Sequence, residues 1–207
     1  TVTDTSRAYT TWSSVLTTAP ADATGSFRFG YDTGLLNPVW SSTCFFPSAP
    51  WTFARPSTYP TDTRITGSLD SSDYSNTGYS RGHMTQFADL RDCYGADAGA
   101  SSMYMSNMCP QVQALNGAAW GNLETLTAQT LPAAFGRVWV YTGPIFSTQL
   151  VAPIGAKQIP VATAFYKILV RETAAGVPKV LALIIPHSTT ISSGTTAAVP
   201  MTTNDFW

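Results

Sequence analysis

The chain has 207 residues, of which 44% are hydrophobic and only 11% charged, and its 11 basic and 12 acidic side chains give a formal net charge of -1. A chain of this size buries roughly two thirds of the surface that its unfolded form exposes, which argues against disorder and predicts one domain over residues 1–207. The low charge argues against a broadly basic coat for nucleic acid, because non-specific phosphate binding normally needs many lysines and arginines. No apolar run approaches the length of a transmembrane helix, so we expect a soluble protein with no membrane partner.

The predicted elements of the first two thirds of the chain are two short strands, a helical turn and one longer helix. Strands are expected at Ser26–Tyr31 and Val39–Phe46, where aromatic and β-branched residues lie between Gly, Asn and Pro. Residues 85–92 are expected to form a short helical turn. The clearest helix is Asn116–Leu131, where apolar residues recur at three- and four-residue steps until Pro132 stops the pattern.

Three more strands are predicted in the last third, at Val138–Thr142, Phe165–Arg171 and Val180–Ile185. The last of these is a continuous apolar run, which suits a central buried strand. Strands before and after a helical segment predict an α+β fold with a largely antiparallel sheet.

The three cysteines, Cys44, Cys93 and Cys109, are dispersed and form no CxxC or Cys/His cluster, so a structural zinc site is not expected. One disulfide and one thiol would fit an exported protein, whereas three buried thiols would fit a cytosolic one. We favour the disulfide. Residue 1 is Thr and no basic-then-apolar leader follows, which fits a processed mature form.

Histidine is scarce, occurring only as His83 and His187, so acid–base chemistry has few candidates. In Ser80-Arg81-Gly82-His83, a cation precedes an imidazole by two residues, and such residues project to the same face of an extended segment. Arg81 and His83 are therefore expected to point into one site, as a phosphate binder beside a general base.

Three further blocks follow in order: Ser106–Gln111, Leu115–Glu124 and Tyr141–Ile145. With the Arg-Gly-His block they give Arg-Gly-His, Asn-x-x-Pro-Gln, Leu-Asn-x-x-x-Trp-x-x-Leu-Glu and Thr-Gly-Pro. In this the chain resembles the DNA/RNA non-specific endonucleases, the ββα-metal (His-Me finger) family that includes endonuclease G and secreted bacterial nucleases. The resemblance extends from Asn37–Trp40 near the front to Asp205–Trp207 at the end.

The resemblance implies a sugar-non-specific endonuclease that hydrolyses phosphodiester bonds in DNA and RNA and leaves 5′-phosphate ends. It implies Mg²⁺ as cofactor, for which Mn²⁺ or another divalent ion can substitute. His83 matches the family's general base, and His187 is a weaker rival. Asn116 matches the single direct protein ligand of the metal, although it would also suit the N-cap of the predicted helix. Glu124 matches a carboxylate that contacts the metal through water.

The remaining matches concern phosphate binding and site geometry. Arg81 matches the arginine that contacts the scissile phosphate or leaving group. Arg55 matches an upstream phosphate-contacting arginine, with Arg64 as its rival. Asn107 matches an asparagine of the catalytic site that supports its geometry, and its alternative role is a polar turn residue before Pro110.

Two departures from the family pattern stand beside the Arg-Gly-His block: Ser80 replaces the usual Asp, and Thr85-Gln86 follow where Ala-Pro or a similar pair is usual. Ser80 loses a charge, so the orientation of Arg81 is left open. Two alternative functions also remain, a catalytically weak nucleic-acid-binding module on the same fold and a phosphodiesterase acting on small nucleotides. Secretion is favoured over an organelle such as the mitochondrion, and a monomer or a homodimer is left open.

Overall fold

The computed structural model describes residues 9–13, 28–47, 53–147, 151–188 and 199–200. Within these ranges the strands are β1 (Tyr9–Ser13), β2 (Arg28–Asp32), β3 (Asn37–Phe45), β4 (Ser80–His83), β5 (Met108–Gln111), β6 (Val138–Ile145), β7 (Ala164–Glu172), β8 (Pro178–Pro186) and β9 (Val199–Pro200). Seven of them form one antiparallel sheet in the order β1-β2-β3-β6-β7-β8-β9, and β4 and β5 form a separate antiparallel pair.

The helices lie between β4 and β6 along the chain. They are α1 (Phe87–Tyr94), α2 (Ala96–Ser102), α3 (Gly121–Thr125) and α4 (Leu131–Phe135), with π-helical turns at Leu115–Trp120 and Leu126–Thr130. Residues 113–135 are helical without interruption, and we call them the long helix. Among the described residues, none of the helices has the length and apolar character needed to cross a membrane.

The predicted elements all form, with shifted bounds. The helical turn at 85–92 is α1, and the strand predicted at Ser26–Tyr31 is β2, whose first two predicted residues lie outside the described ranges. The motif at Asp205–Trp207 also lies outside the described residues.

The prediction of a central buried strand at Val180–Ile185 is wrong. This run lies in β8, between β7 and the two-residue β9, and its residues alternate between buried and partly exposed. Val180 is 40% exposed. One face of β8 is buried and the other is only partly covered. Apolar residues at successive positions therefore do not mean that both faces of this strand are buried.

The long helix departs from its predicted bounds at both ends. The Asn116 N–H donates to the Val112 carbonyl at 3.0 Å, so Asn116 lies inside the first turn and the N-cap role is wrong. At the other end the helix runs through Pro132 and ends at Phe135, and the φ of 82° at the following Gly136 lies in the region that favours glycine. The π turn at Leu126–Thr130 interrupts the regular hydrogen-bond ladder just before Pro132, so the missing proline N–H is tolerated there.

The main core lies between the seven-stranded sheet and the helices. Trp120 of the long helix is fully buried, and its ring lies 5.3 Å from that of Phe165 in β7. The Trp120 Nε1–H also donates to the His83 carbonyl at 3.1 Å. One buried side chain therefore fixes the long helix to both the sheet and β4, which places the helix directly behind the Arg-Gly-His block.

The cysteine prediction is corrected by the structure. Cys44, Cys93 and Cys109 are buried thiols, and the structure records no disulfide among them. Burial raises the pKa of the Cys109 thiol well above its ordinary value. The disulfide that favoured export is therefore absent, and secretion stays a prediction without that support.

Candidate active site

A pocket of about 230 Å³ opens where β4 and α1 meet the long helix. It is lined by Arg55, His83, Gln86, Phe87, Ala88, Gly121, Glu124, Thr125 and Gln129. Three residues predicted for the site, which lie far apart in the chain, thus meet in one cavity: a histidine, an arginine and a glutamate. Arg81, Asn107 and Asn116 are not among the lining residues.

His83 is the imidazole of this pocket and is only 8% exposed. Burial, reinforced by the positive charge of Arg55, lowers its pKa from 6.5 to about 3, so the ring is neutral at pH 7. Its Nε2 lies 3.4 Å from the Met103 sulfur. In the tautomer whose Nε2–H donates to that sulfur, Nδ1 carries the lone pair that a general base needs.

The depressed pKa of His83 predicts acid destabilisation of the metal-free protein. The unfolded chain binds a proton at His83 near pH 6.5 and the folded chain only near pH 3, so stability falls as the pH is lowered between these values. Urea unfolding at pH 7 and pH 4 measures the loss, and His83→Gln, which cannot titrate there, should lose less. Equal losses in the two proteins would contradict the assignment.

Glu124 faces the same cavity from the long helix. Burial raises the pKa of its carboxyl to about 7, against the opposing positive charges of Lys167 and Arg55. The Lys167 side chain is 2% exposed, with its Nζ 4.4 Å from the centroid of the Trp120 ring and 3.3 Å from the Thr142 hydroxyl. A buried cation therefore stands behind Glu124 and favours its ionised form.

Sequence reasoning missed Lys167 as part of this site, although a signal was present. Along β7, Phe165, Lys167, Leu169 and Arg171 are the buried positions, so the strand's alternation turns two cations toward the core. A lysine at an inward position needs a partner, because burying an unpaired charge is costly. That requirement indicates a nearby acid such as Glu124.

The two arginines predicted to bind phosphate both contact Tyr59. Arg55 is exposed, lines the pocket and donates from Nη2 to the Tyr59 hydroxyl at 3.0 Å. Arg81 lies with its guanidinium carbon 5.3 Å from the Tyr59 ring centroid and donates from Nη2 to the Ser71 carbonyl at 2.6 Å. The Tyr59 and His83 ring centroids are 6.0 Å apart, so Arg81 and His83 both lie beside Tyr59, although Arg81 is not among the residues that line the cavity.

The rival of Arg55, Arg64, is engaged elsewhere. Its Nε and Nη2 donate to the two carboxylate oxygens of Asp62, at 2.7 and 2.8 Å. Asp62 is completely buried and also accepts from the Ser106 hydroxyl. A bidentate pair of this kind holds both partners in place. The geometry therefore favours Arg55 as the upstream phosphate contact.

Asn107 supports the site from behind. Its side chain is 1% exposed, its Oδ1 accepts from the Thr85 N–H at 3.0 Å, and its Nδ2 donates to the Thr85 and Ser102 carbonyls, each at 2.7 Å. Both amide protons are thus used by the backbone beside His83. This geometry suits a positioning role and leaves no group on Asn107 directed at the cavity.

The two departures from the family pattern have local explanations. The Ser80 hydroxyl donates to Gln113 Oε1 at 2.5 Å, so Ser80 contacts the start of the long helix rather than Arg81. Gln86 donates from Nε2 to the Glu124 carbonyl at 3.0 Å. The Thr85 hydroxyl lies within hydrogen-bond distance of the Thr43 hydroxyl in β3, at 3.2 Å. Each substitution thus fastens the β4–α1 segment to its surroundings.

Asn116, the predicted metal ligand, is half-buried in the π turn Leu115–Trp120. Such turns are frequent at functional sites. Within the described ranges its side-chain amide makes no hydrogen bond, and no group of three or more His, Cys, Asp or Glu is placed to hold a metal. Eight residues along a helix correspond to roughly 12 Å, so Asn116 and Glu124 are not expected to be adjacent direct ligands of one ion. An amide oxygen with a more distant carboxylate fits a hard cation that keeps most of its waters.

His187, the rival general base, does not line the pocket. Its Nδ1–H donates to the Ala162 carbonyl at 2.6 Å, and its Nε2 accepts from the Val112 N–H at 2.8 Å. Burial lowers its pKa below the ordinary value, against the raising effect of the Ala162 hydrogen bond. With both ring nitrogens engaged by backbone, His187 has no free position from which to activate water.

A comparison with protein families assigns the chain that carries this pocket to a family. The family model described as DNA/RNA non-specific endonuclease matches residues 17–205. The chain belongs to this family. Its members are nucleases, that is, phosphodiester hydrolases, so the predicted family and enzyme class are confirmed.

Individual relatives agree with the family assignment. The chain is 33% identical to human mitochondrial endonuclease G over 125 residues, which cover 56% of this chain and 41% of that protein. It is 34% identical to a nuclease of Syncephalastrum racemosum over 137 residues, covering 58% and 42%. The aligned part thus spans about two fifths of the length of these relatives.

The fold agrees with a solved structure as well. The crystal structure of the EndoG/EndoGI complex, which concerns the mechanism of EndoG inhibition, superimposes with a TM-score of 0.75 at 26% identity. The match covers 85% of this chain and 78% of that chain. The predicted α+β fold with an antiparallel sheet and helices is confirmed, and β4, β5 and the long helix form its two-strand and helix unit.

Proposed function

We propose that the chain is a sugar-non-specific endonuclease that hydrolyses DNA and RNA with Mg²⁺ or another divalent ion and leaves 5′-phosphate ends. The observation that carries the proposal is the meeting of a neutral His83, the exposed Arg55 and the half-buried Glu124 in one open pocket. Phosphodiester hydrolysis needs a base for water, a cation for the phosphate and help for the departing 3′-oxygen.

His83 takes the proton from the attacking water through Nδ1. In the free protein the positive charge of Arg55 helps to lower its pKa. A phosphate bound at Arg55 brings negative charge beside the ring, which raises the basicity of His83 as the substrate arrives. The base is therefore neutral before binding and becomes stronger in the complex.

The substrate phosphate is held by the two arginines. Arg55 reaches it from the rim of the pocket. The Arg81 Nε is buried and makes no hydrogen bond within the described part of the chain, so a phosphate oxygen would satisfy it. Asn107 holds the backbone next to His83 in place and takes no part in proton transfer.

Asn116 would hold the divalent ion directly, and Glu124 would hold it through water. When bound, the ion neutralises charge on the phosphate and assists departure of the 3′-oxygen. The buried Lys167 favours the ionised form of Glu124 that this task requires.

The test is cleavage of supercoiled plasmid and of a long RNA with Mg²⁺, beside the same reactions in EDTA. We expect nicking of the plasmid and cleavage of the RNA only with metal. The nicks in the plasmid should carry 5′-phosphate ends that a ligase can rejoin. Tight binding without metal-dependent cleavage would instead identify a nucleic-acid-binding module. Hydrolysis of bis(p-nitrophenyl) phosphate faster than of DNA would identify a phosphodiesterase of small nucleotides.

The low charge of the chain predicts a shallow salt dependence of DNA binding. Of the basic side chains, Arg55 and Arg81 adjoin the pocket, whereas Lys167 and Arg171 are buried. Two or three phosphate contacts correspond to a slope of about -2 to -3 in a plot of log affinity against log salt. Fluorescence anisotropy with a labelled duplex in EDTA measures the slope, and a value steeper than about -5 would show a wider contact surface.

A further inference from the structure

We propose that His187 is a positioning residue for Asn116: its imidazole holds Val112, the residue immediately before the long helix, so that the Asn116 amide can take the divalent ion. The inference rests on the proposed metal-dependent function. It concerns a histidine that lies outside the pocket and that none of the proposed catalytic steps uses.

The imidazole ties two separate parts of the fold together. His187 follows β8 directly, and its backbone N–H donates to the Thr163 carbonyl at 2.9 Å. Its Nδ1–H donates to Ala162 and its Nε2 accepts from Val112, at 2.6 and 2.8 Å. These two bonds fix one neutral tautomer and leave the ring little freedom to rotate.

Val112 connects the imidazole to the metal ligand. The carbonyl of Val112 accepts from the N–H groups of Leu115 and Asn116, both at 3.0 Å. Val112 therefore caps the long helix, with its N–H held by His187 and its carbonyl held by Asn116. The next residue, Gln113, is held from the other side by Ser80 at 2.5 Å. The turn that carries Asn116 is thus fastened to the large sheet by His187 and to β4 by Ser80.

The alternative is that His187 only fills space. Its ring packs edge-on against Phe165 and Tyr79, with centroid distances of 5.3 and 5.9 Å. A phenylalanine would keep this packing and lose both hydrogen bonds, whereas a glutamine would lose the ring and keep a donor and an acceptor. The two substitutions therefore separate packing from positioning.

The primary experiment measures Mn²⁺ binding to substrate-free protein by electron paramagnetic resonance, beside the thermal midpoint of each variant. We expect His187→Phe to weaken Mn²⁺ binding about tenfold or more, the size typical of groups that orient a metal ligand, and His187→Gln to restore it to within about threefold. At saturating Mg²⁺, His187→Phe should regain most of its turnover. Unchanged Mn²⁺ affinity in His187→Phe, with a lowered midpoint, would overturn the inference.

A second measurement needs no variant, so it applies even if His187→Phe does not fold. Coupling between two sites is reciprocal, so a bond that improves metal binding must itself be strengthened by the metal. Mg²⁺ should slow hydrogen exchange of the Val112 amide more than that of the Ile154 amide, which donates to the Ile159 carbonyl and makes no contact with His187 or the pocket. Equal effects on both amides would contradict the inference.

The outcomes distinguish this inference from the function on which it rests. Asn116→Ala serves as the reference for a protein without the metal ligand. If the unaltered protein binds no Mn²⁺, or binds it equally well with Asn116→Ala, the proposed metal site is wrong. If the unaltered protein binds Mn²⁺ through Asn116 but the His187 substitutions leave that affinity unchanged, only the role of His187 is wrong.

Discussion

His83→Ala is expected to lower turnover of DNA by about 10²–10⁴-fold, the range that a positioned general base supplies. The reason is that His83 is the imidazole of the pocket, with Nε2 at Met103 and Nδ1 left for water. The phosphate contacts proposed for Arg55 and Arg81 remain, so DNA affinity measured in EDTA should stay within about threefold. Initial rates at saturating DNA and Mg²⁺ measure the first effect, and fluorescence anisotropy the second.

The control for His83→Ala is a second residue of the same pocket. Gln129 lines the cavity and is exposed, and no proton-transfer or phosphate-binding step is assigned to it. Gln129→Ala should therefore keep turnover within about threefold, while the thermal midpoint shows whether either variant is misfolded. Turnover above about a tenth of the original in a folded His83→Ala would remove His83 from the role of base.

The parts of the site that could be predicted from the sequence are those encoded in local motifs. The Arg-Gly-His block and the eight-residue step from Asn116 to Glu124 carry their own geometry, because strand alternation and helix rise convert spacing into position. Their order along the chain pointed to the family, and the family comparison bears this out. The individual roles of these residues stay predictions until the variants are measured.

What could not be predicted depends on contacts between distant segments. The His187 bond to Val112 joins residues 75 apart in sequence, and Asn107 reaches across 22 residues to Thr85. Nothing in the local pattern around His187 distinguishes a histidine that binds backbone from one that activates water. Only the tertiary arrangement shows that both of its nitrogens are occupied, which agrees with the choice of His83 made from its motif.

The errors in the predicted elements have the same origin. The apolar run at Val180–Ile185 indicates a strand correctly, but its burial depends on what covers each face of the sheet. Pro132 is normally a helix terminator, yet the π turn before it removes the regular hydrogen bond that proline would break. In both cases the sequence indicates the intrinsic preference of the residues correctly, and the neighbouring structure decides the burial of the strand and the end of the helix.

Asn116→Ala is expected to abolish Mg²⁺-dependent cleavage, with a loss of more than about 100-fold, because a direct ligand matters at least as much as the groups that orient it. Alanine is the better helix former, and the Asn116 side chain makes no hydrogen bond among the described residues, so the substitution should not lower the thermal midpoint. A loss of activity at an unchanged thermal midpoint therefore reports loss of the ligand and not unfolding. Mg²⁺ titrations of cleavage rate, beside anisotropy in EDTA, make the measurement.

The matched variant Asn116→Asp separates the ligand oxygen from the amide. Aspartate keeps an oxygen donor at the same position and adds a charge that favours a hard cation, so metal binding should survive where Asn116→Ala loses it. Glu124→Gln should raise the Mg²⁺ concentration needed for half-maximal cleavage without abolishing cleavage, since that carboxylate is proposed to act through water. Suppose that Asn116→Ala kept the original response of cleavage to Mg²⁺ while Glu124→Gln no longer cleaved DNA at any Mg²⁺ concentration. The direct ligand would then be Glu124, and the pocket beside His83 would itself be the metal site.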